Sequence, residues 1–171
     1  MDITLRIATI NDLDLLEYWD KQQHVIDSDP DEDWDWENEL LKFPEWREQL
    51  IAELDGRPIG CIQIIDPAEE ESHYWGNIPR NLRAIDIWIG EKEDLGKGYG
   101  SKMMEMAVDR CFKNPEVVSI LIDPLESNHD AIRFYENFGF TFIEKRSFNS
   151  SDCLVYQLSR KDWKEKISKN E

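Results

Sequence analysis

The segment Leu95-Gly96-Lys97-Gly98-Tyr99-Gly100-Ser101 lies between a strand-like run and a helical one. Three glycines at alternate positions let successive backbone N–H groups turn toward an anion, and a helix starting there adds its positive end. A pyrophosphate suits such a nest. The spacing matches neither G-x-x-x-x-G-K-[ST] nor G-x-G-x-x-G, and a tight turn alone also explains the glycines. Two further acids stand at strand ends or faces, Asp86 in Ala84-Ile85-Asp86 and Asp123 before Pro124. Tyr135 lies in Asn128-x-x-Ala-x-x-Phe-Tyr-x-x-x-Gly-Phe.

The elements that must position these groups follow from periodicity. Ile3–Ile7 alternates as a strand, and Asn11 is placed to cap a helix with Leu15, Leu16 and Trp19 on one side. Gln49–Leu54 and Ile59–Ile65 read as strands joined at Asp55-Gly56, a hairpin signal. A short helix is expected near Glu37–Lys42, and Asp66–Arg83 reads as a long loop, a length that often serves function. Ala84–Ile89 alternates so that Asp86 and Trp88 share one face. The spacing predicts helices over Ser101–Lys113 and Asn128–Asn137. It predicts a buried parallel strand over Val117–Ile122, then an antiparallel pair, Phe140–Phe148 with Cys153–Leu158. Arg160–Lys169 is a polar terminal helix or a frayed tail. A strand, a glycine-rich turn, a helix and another strand make a right-handed crossover. The fold class is therefore α/β or α+β, and residues 1–171 read as a single domain.

Lys plus Arg is 20 against 37 Asp plus Glu, a formal net charge of −17. That excess argues against nucleic acid and anionic membranes and favours a cationic partner. It is concentrated between Asp27 and Glu39, which hold eight acids, no Lys or Arg, and both Trp34 and Trp36. No apolar run is long enough to span a membrane, and no signal peptide is visible. Cys61, Cys111 and Cys153 read as free thiols in a reducing cytoplasm. His24, His73 and His129 are scattered with no metal spacing, so no metal is expected.

The glycine turn and the Tyr135 motif, in this order and roughly 30 residues apart, resemble the acyl-CoA-binding core of the GNAT N-acetyltransferases. Together with Asp86, Asp123, the Trp75 region and the acidic N-terminal half, the chain is similar to the aminoglycoside 6′-N-acetyltransferases of that family, over roughly Ile3 to Leu158. The resemblance implies a mixed, mostly antiparallel central sheet flanked by helices. It implies acetyl-CoA as co-substrate, held by Trp88, Ile89, Gly96, Lys97, Gly98, Tyr99, Gly100, Ser101, Asn128 and Tyr135. It assigns Asp86 as base and Tyr135 as acid, with Asp123, Glu71, Trp75 and Asp152 toward the acceptor amine. Leu95 stands where the general family turn begins with Gln or Arg.

These residue types suit amine acetylation. The attacking amine must be neutral, and a carboxylate can bind the ammonium and take its proton. Burial and nearby acids such as Asp123 are expected to raise the pKa of Asp86 and make it a better base. A backbone N–H in Asp86–Gly90 can receive the developing oxyanion. Tyr135 can protonate the departing thiolate, and no covalent intermediate is required. The acidic run would then act as an electrostatic funnel, with Trp34, Trp36 and Trp75 as substrate walls. Two other readings stay open. The fold can acetylate a different amine (a polyamine, a siderophore precursor or a protein amine), or it can bind acyl-CoA or an antibiotic without catalysis. A monomer or a homodimer is expected.

Overall fold

The computed structural model describes residues 2–148 and 150–170. Among them run β1 (Ile3–Ile7), α1 (Leu13–Asp20), α2 (Gln23–Ser28), α3 (Trp36–Glu39), β2 (Arg47–Leu54), β3 (Arg57–Ile65) and β4 (Leu82–Ile89). They are followed by α4 (Tyr99–Phe112), β5 (Ser119–Ile122), α5 (His129–Phe138), β6 (Thr141–Phe148), β7 (Ser151–Ser159) and α6 (Arg160–Lys169). The seven strands hydrogen-bond in the order β1-β2-β3-β4-β5-β7-β6. β4 and β5 are parallel, as their α4 crossover requires, whereas β1–β2, β5–β7 and β6–β7 are antiparallel. This is the mixed sheet expected from the sequence.

The chain forms two compact units, Met1–Ile64 with Asp86–Ala107 and Ile65–Ile85 with Val108–Glu171. In the first, Leu16, Trp19, Trp36, Leu40, Ile51 and Cys61 make a buried cluster against which Trp34 and Trp88 pack. Asp55 and Gly56 both take positive φ, 49° and 85°, as a two-residue turn between right-twisted strands demands. Asn11 is not the cap before α1. Thr9 caps a single 3-10 turn, Ile10–Asp12, in a reciprocal capping box, and α1 follows it. The turn is reinforced by Arg6, which donates to both oxygens of buried Asp12 at 2.8 and 2.9 Å. Burial opposes the Asp12 charge, but Arg6 and the Thr9 N–H together hold its carboxyl below the usual range.

Two local expectations shift. The short helix is Trp36–Glu39, one residue earlier than expected and ending before Lys42. α2, over Gln23–Ser28, is additional; it buries no residue and lacks a side-chain cap, so nothing in its sequence announces it.

In the second unit β5 pairs with β4 through Leu82–Ser119, Arg83–Ile120 and Ala84–Leu121, and with β7 on its other side. α5 starts at Asn128, whose side chain accepts from the Ala131 N–H, and stops at Gly139, whose φ is 124°. α6 is anchored rather than frayed. Trp163 is buried, stacks on Phe138 at 5.7 Å and donates to Asp109 at 3.2 Å. Arg160 donates to the carbonyls of Phe112, Asn114 and Val117, which closes the end of α4. All three cysteines are free and buried. No described helix is long and apolar enough to cross a membrane.

Candidate active site

In the first unit Asp86 sits half-buried on β4, the strand next to β3. Loss of solvent pushes its carboxyl up to about 7. The charge of Asp29 adds to this, and a hydrogen bond from the Gln63 side chain opposes it. The acid whose charge acts on Asp86 is Asp29, just after α2. Glu32 is also raised to about 7, by desolvation first and then by Asp29, Asp86, Asp33 and Asp20. A group of carboxylates thus shares protons near neutral pH. A cation brought among these carboxylates would displace those protons.

The acidic run is not simply a solvated face. Trp34 and Trp36 stack at 5.3 Å with planes 11° apart, and Trp34 meets Trp88 at 5.1 Å. Trp36 is buried and donates its indole N–H to Asp20 at 2.7 Å. These rings fold the acids back toward the face of β4 that carries Asp86 and Trp88. The indole N–H of Trp88 is buried and has no acceptor among the described residues.

The corner after β4 is held from several sides. His24 donates its Nε2–H to the Ile89 carbonyl at 2.8 Å, and Trp19 donates to Glu91 at 3.3 Å. Gly90 is required here, because a Cβ would lie 2.0 Å from the Trp19 ring. Arg57 then grips buried Asp94 with two bonds, 2.9 and 3.0 Å, immediately before the glycine turn. Gly96 and Gly98 take φ of 72° and 83°, and a Cβ at either would meet open space. Their glycine identity is conformational, not steric. Gly96, Lys97 and Gly98 are exposed, and α4 starts at Tyr99, two residues before the expected Ser101. An exposed left-handed turn feeding a 14-residue helix presents backbone N–H groups and a positive end to an anion. The turn and Lys97 fit a diphosphate-bearing acyl donor.

The second unit holds the remaining expected residues. Trp75 is 1% exposed, too enclosed to form a substrate wall. It packs edge-on against Phe148 at 5.1 Å, lies under the Arg146 guanidinium at 5.6 Å, and its carbonyl accepts from Arg146. Its part is to pin the 66–81 loop. Glu71 is exposed, and its neighbour Glu70 is the buried acid that ties the loop, accepting from Ser72 N–H and Oγ–H at 2.9 and 2.8 Å. Asp152 lies within β7, not before it, and accepts from Ser147 at 2.6 Å. Asp123 follows β5 and is half-buried, and the Leu154 N–H donates to the next residue's carbonyl at 2.9 Å. Tyr135 lies on α5 between Phe134 and Phe140, ring centroids 5.3 and 5.9 Å away. Asp123, Asn128, Tyr135, Trp75, Glu71 and Asp152 thus share the second unit; Asp86, Trp88, Ile89 and the glycine turn share the first.

No group of three or more His, Cys, Asp or Glu among the described residues is arranged to hold a metal. Gln49 and Gln63, buried side by side under Asp86, were missed from the sequence, where nothing links residues on different strands.

Comparison with known proteins places the chain among acetyltransferases. The sequence profile of the acetyltransferase (GNAT) domain matches residues 9–148. The aminoglycoside N(6′)-acetyltransferase type 1 of Klebsiella pneumoniae is 32% identical over 152 residues, covering 81% of this chain and 73% of that protein. The spermine/spermidine N(1)-acetyltransferase of Bacillus subtilis (strain 168) is 30% identical over 74 residues, covering 43% of this chain and 49% of that one. The crystal structure of aminoglycoside acetyltransferase AAC(6′)-Ib with coenzyme A and kanamycin superposes with a TM-score of 0.83 at 28% identity. It covers 97% of this chain and 99% of that one.

Proposed function

The chain belongs to the GNAT acetyltransferase family, and from that premise we propose that it moves the acetyl group of acetyl-CoA to a primary amine of an aminoglycoside, at the 6′ position. Residues 1–171 act as one catalytic domain in this reading. The observation that carries the acceptor class is the aromatic-backed acidic group around Asp86, with Asp86 and Glu32 both raised to about 7. A polycationic amine neutralises such a group, and its ammonium finds a base already poised near the working pH. The aminoglycoside 6′-acetyltransferase of Klebsiella pneumoniae aligns over 81% of this chain, whereas the polyamine acetyltransferase aligns over 43%.

Asp86 binds the ammonium and takes its proton, directly or through water. The neutral amine attacks the thioester carbonyl; a C–N bond forms as the C–S bond breaks. An N–H of the Asp86–Ile89 backbone supports the developing oxyanion. The glycine turn and Lys97 hold the diphosphate, with Trp88, Ile89 and Asn128 along the donor. By the family resemblance, Tyr135 returns a proton to the thiolate. Asp123, Glu71 and Asp152 are placed toward the acceptor by the family resemblance. Buried free cysteines accord with a reducing compartment, which we take to be the cytoplasm.

The test is product analysis. Incubation of the protein with acetyl-CoA and kanamycin should give a singly acetylated drug, and NMR should place the new amide at the 6′-nitrogen. A product acetylated elsewhere would keep the chemistry and overturn the regiochemistry.

A further inference from the structure

Two buried glutamines lie beneath the base. Gln63, on β3, and Gln49, on β2, are each less than a tenth exposed. The Gln49 Nε2–H donates to Gln63 Oε1 at 3.1 Å. The Gly90 N–H donates to the Ile59 carbonyl at 2.9 Å across the β3–β4 pair. β2, β3 and β4 are neighbours in the sheet, so Gln49, Gln63 and Asp86 stand on three successive strands. The Gln63 side chain makes a hydrogen bond to the Asp86 carboxyl.

A buried amide is costly unless both its ends are satisfied. An ionised carboxylate only accepts, so Gln63 must meet it with N–H. The amide oxygen is then turned away and needs a donor of its own, which Gln49 supplies. We infer that Gln63 is a positioning residue for Asp86, and that Gln49 sets the orientation of the Gln63 amide so that an N–H meets the carboxylate. The pair fixes the aim of the base and favours its ionised form. It thereby offsets the carboxylate charge of Asp29; Glu32 and the buried, neutral Cys61 thiol are the other titratable groups near Asp86. Without it, Asp86 would keep its proton above neutral pH, and less of the ionised base would be present there.

The functional consequence rests on the reading of Asp86 as base, but the relay can be tested without turnover. Carboxyl NMR titration, with the Asp86 signal assigned through Asp86→Asn, reads the midpoint directly. Gln63→Met keeps length and volume and removes the donor. It should raise the Asp86 midpoint by about one pH unit, the scale of one hydrogen bond to a charged group. Gln49→Met, which leaves Gln63 in place, should raise it by less. The double variant should match Gln63→Met, because Gln49 acts only through Gln63. The acid limb of kcat/KM should move with the midpoint. If Gln63→Met fails to fold, Gln49→Met still reads the same quantity.

An unmoved midpoint in the variants, or shifts that add in the double variant, would overturn the relay. A moved midpoint combined with full turnover in Asp86→Asn would uphold the relay and remove Asp86 from the chemistry.

Discussion

The indole N–H of Trp36 reaches Asp20 Oδ2 at 2.7 Å, so one hydrogen bond ties the acidic run to the end of α1. Asp20 is itself raised above the ordinary carboxylate range, chiefly by burial, and this bond opposes the rise. Trp36→Phe keeps most of the ring packing and removes the donor. It should cost about 1–2 kcal/mol of stability, read as a lower Tm. It should raise KM for the aminoglycoside more than for acetyl-CoA, because the acids lose their fixed position. Equal changes in the two KM values would mean the run does not hold the acceptor.

Asp86→Asn preserves shape and removes the base. Turnover should fall by about 10²–10⁴-fold, the usual worth of general base catalysis, with acetyl-CoA affinity unchanged by calorimetry. In the parent protein kcat/KM should rise with pH through about 7 and level off above, since the active form is the ionised carboxylate and its pKa is raised to about 7. A flat profile from pH 6 to 8 would contradict the assignment.

Gly98→Ala puts a Cβ on a residue with φ of 83°, where it meets no atom within 4 Å. The cost is conformational, about 1 kcal/mol, and falls on the nest. Acetyl-CoA should bind several-fold more weakly. Gly56→Ala, also left-handed at φ 85° and also open, carries the same strain in the β2–β3 turn. It should lower Tm similarly and leave acetyl-CoA affinity intact.

Glu32 and Asp86 have folded-state pKa values above their unfolded ones. The folded protein therefore holds protons that the unfolded chain releases, and stability falls as pH rises from the ordinary carboxylate range through about 7. Asp12 acts oppositely: its lowered pKa gives stability present above the unfolded value and lost as pH falls. Glu32→Gln should therefore raise Tm at pH 8 and change it little at pH 4.5. Binding of a polycation to the same group should release protons, seen as a calorimetric enthalpy that varies with the buffer's ionisation heat.

Strands were readable where one residue in two was apolar, as in β4, and where Asp55-Gly56 left a single turn geometry. The glycine turn and α5 were readable because each carries its own local signals: alternating glycines, an asparagine cap and a terminal glycine. The cap before α1 was misplaced by two residues because a 3-10 turn intervenes, and Thr9 and Asn11 are equally competent caps in sequence. The partners of Asp86 were not readable. Asp29 and Gln63 lie far from it along the chain and meet it only through folding. In Glu69-Glu70-Glu71 nothing in the sequence tells which glutamate turns inward; the structure buries Glu70. Trp75 looked like a recognition aromatic because Arg146 and Phe148, which cover it, lie about 70 residues later.

In the proposed reaction this chain acetylates a cationic aminoglycoside amine from acetyl-CoA. Thiol release from acetyl-CoA, with kanamycin, tobramycin, spermidine and lysine as separate acceptors, tests it most directly. Saturable release is expected with kanamycin and tobramycin, and little with the other two. Robust release with spermidine or lysine and none with the aminoglycosides would contradict it.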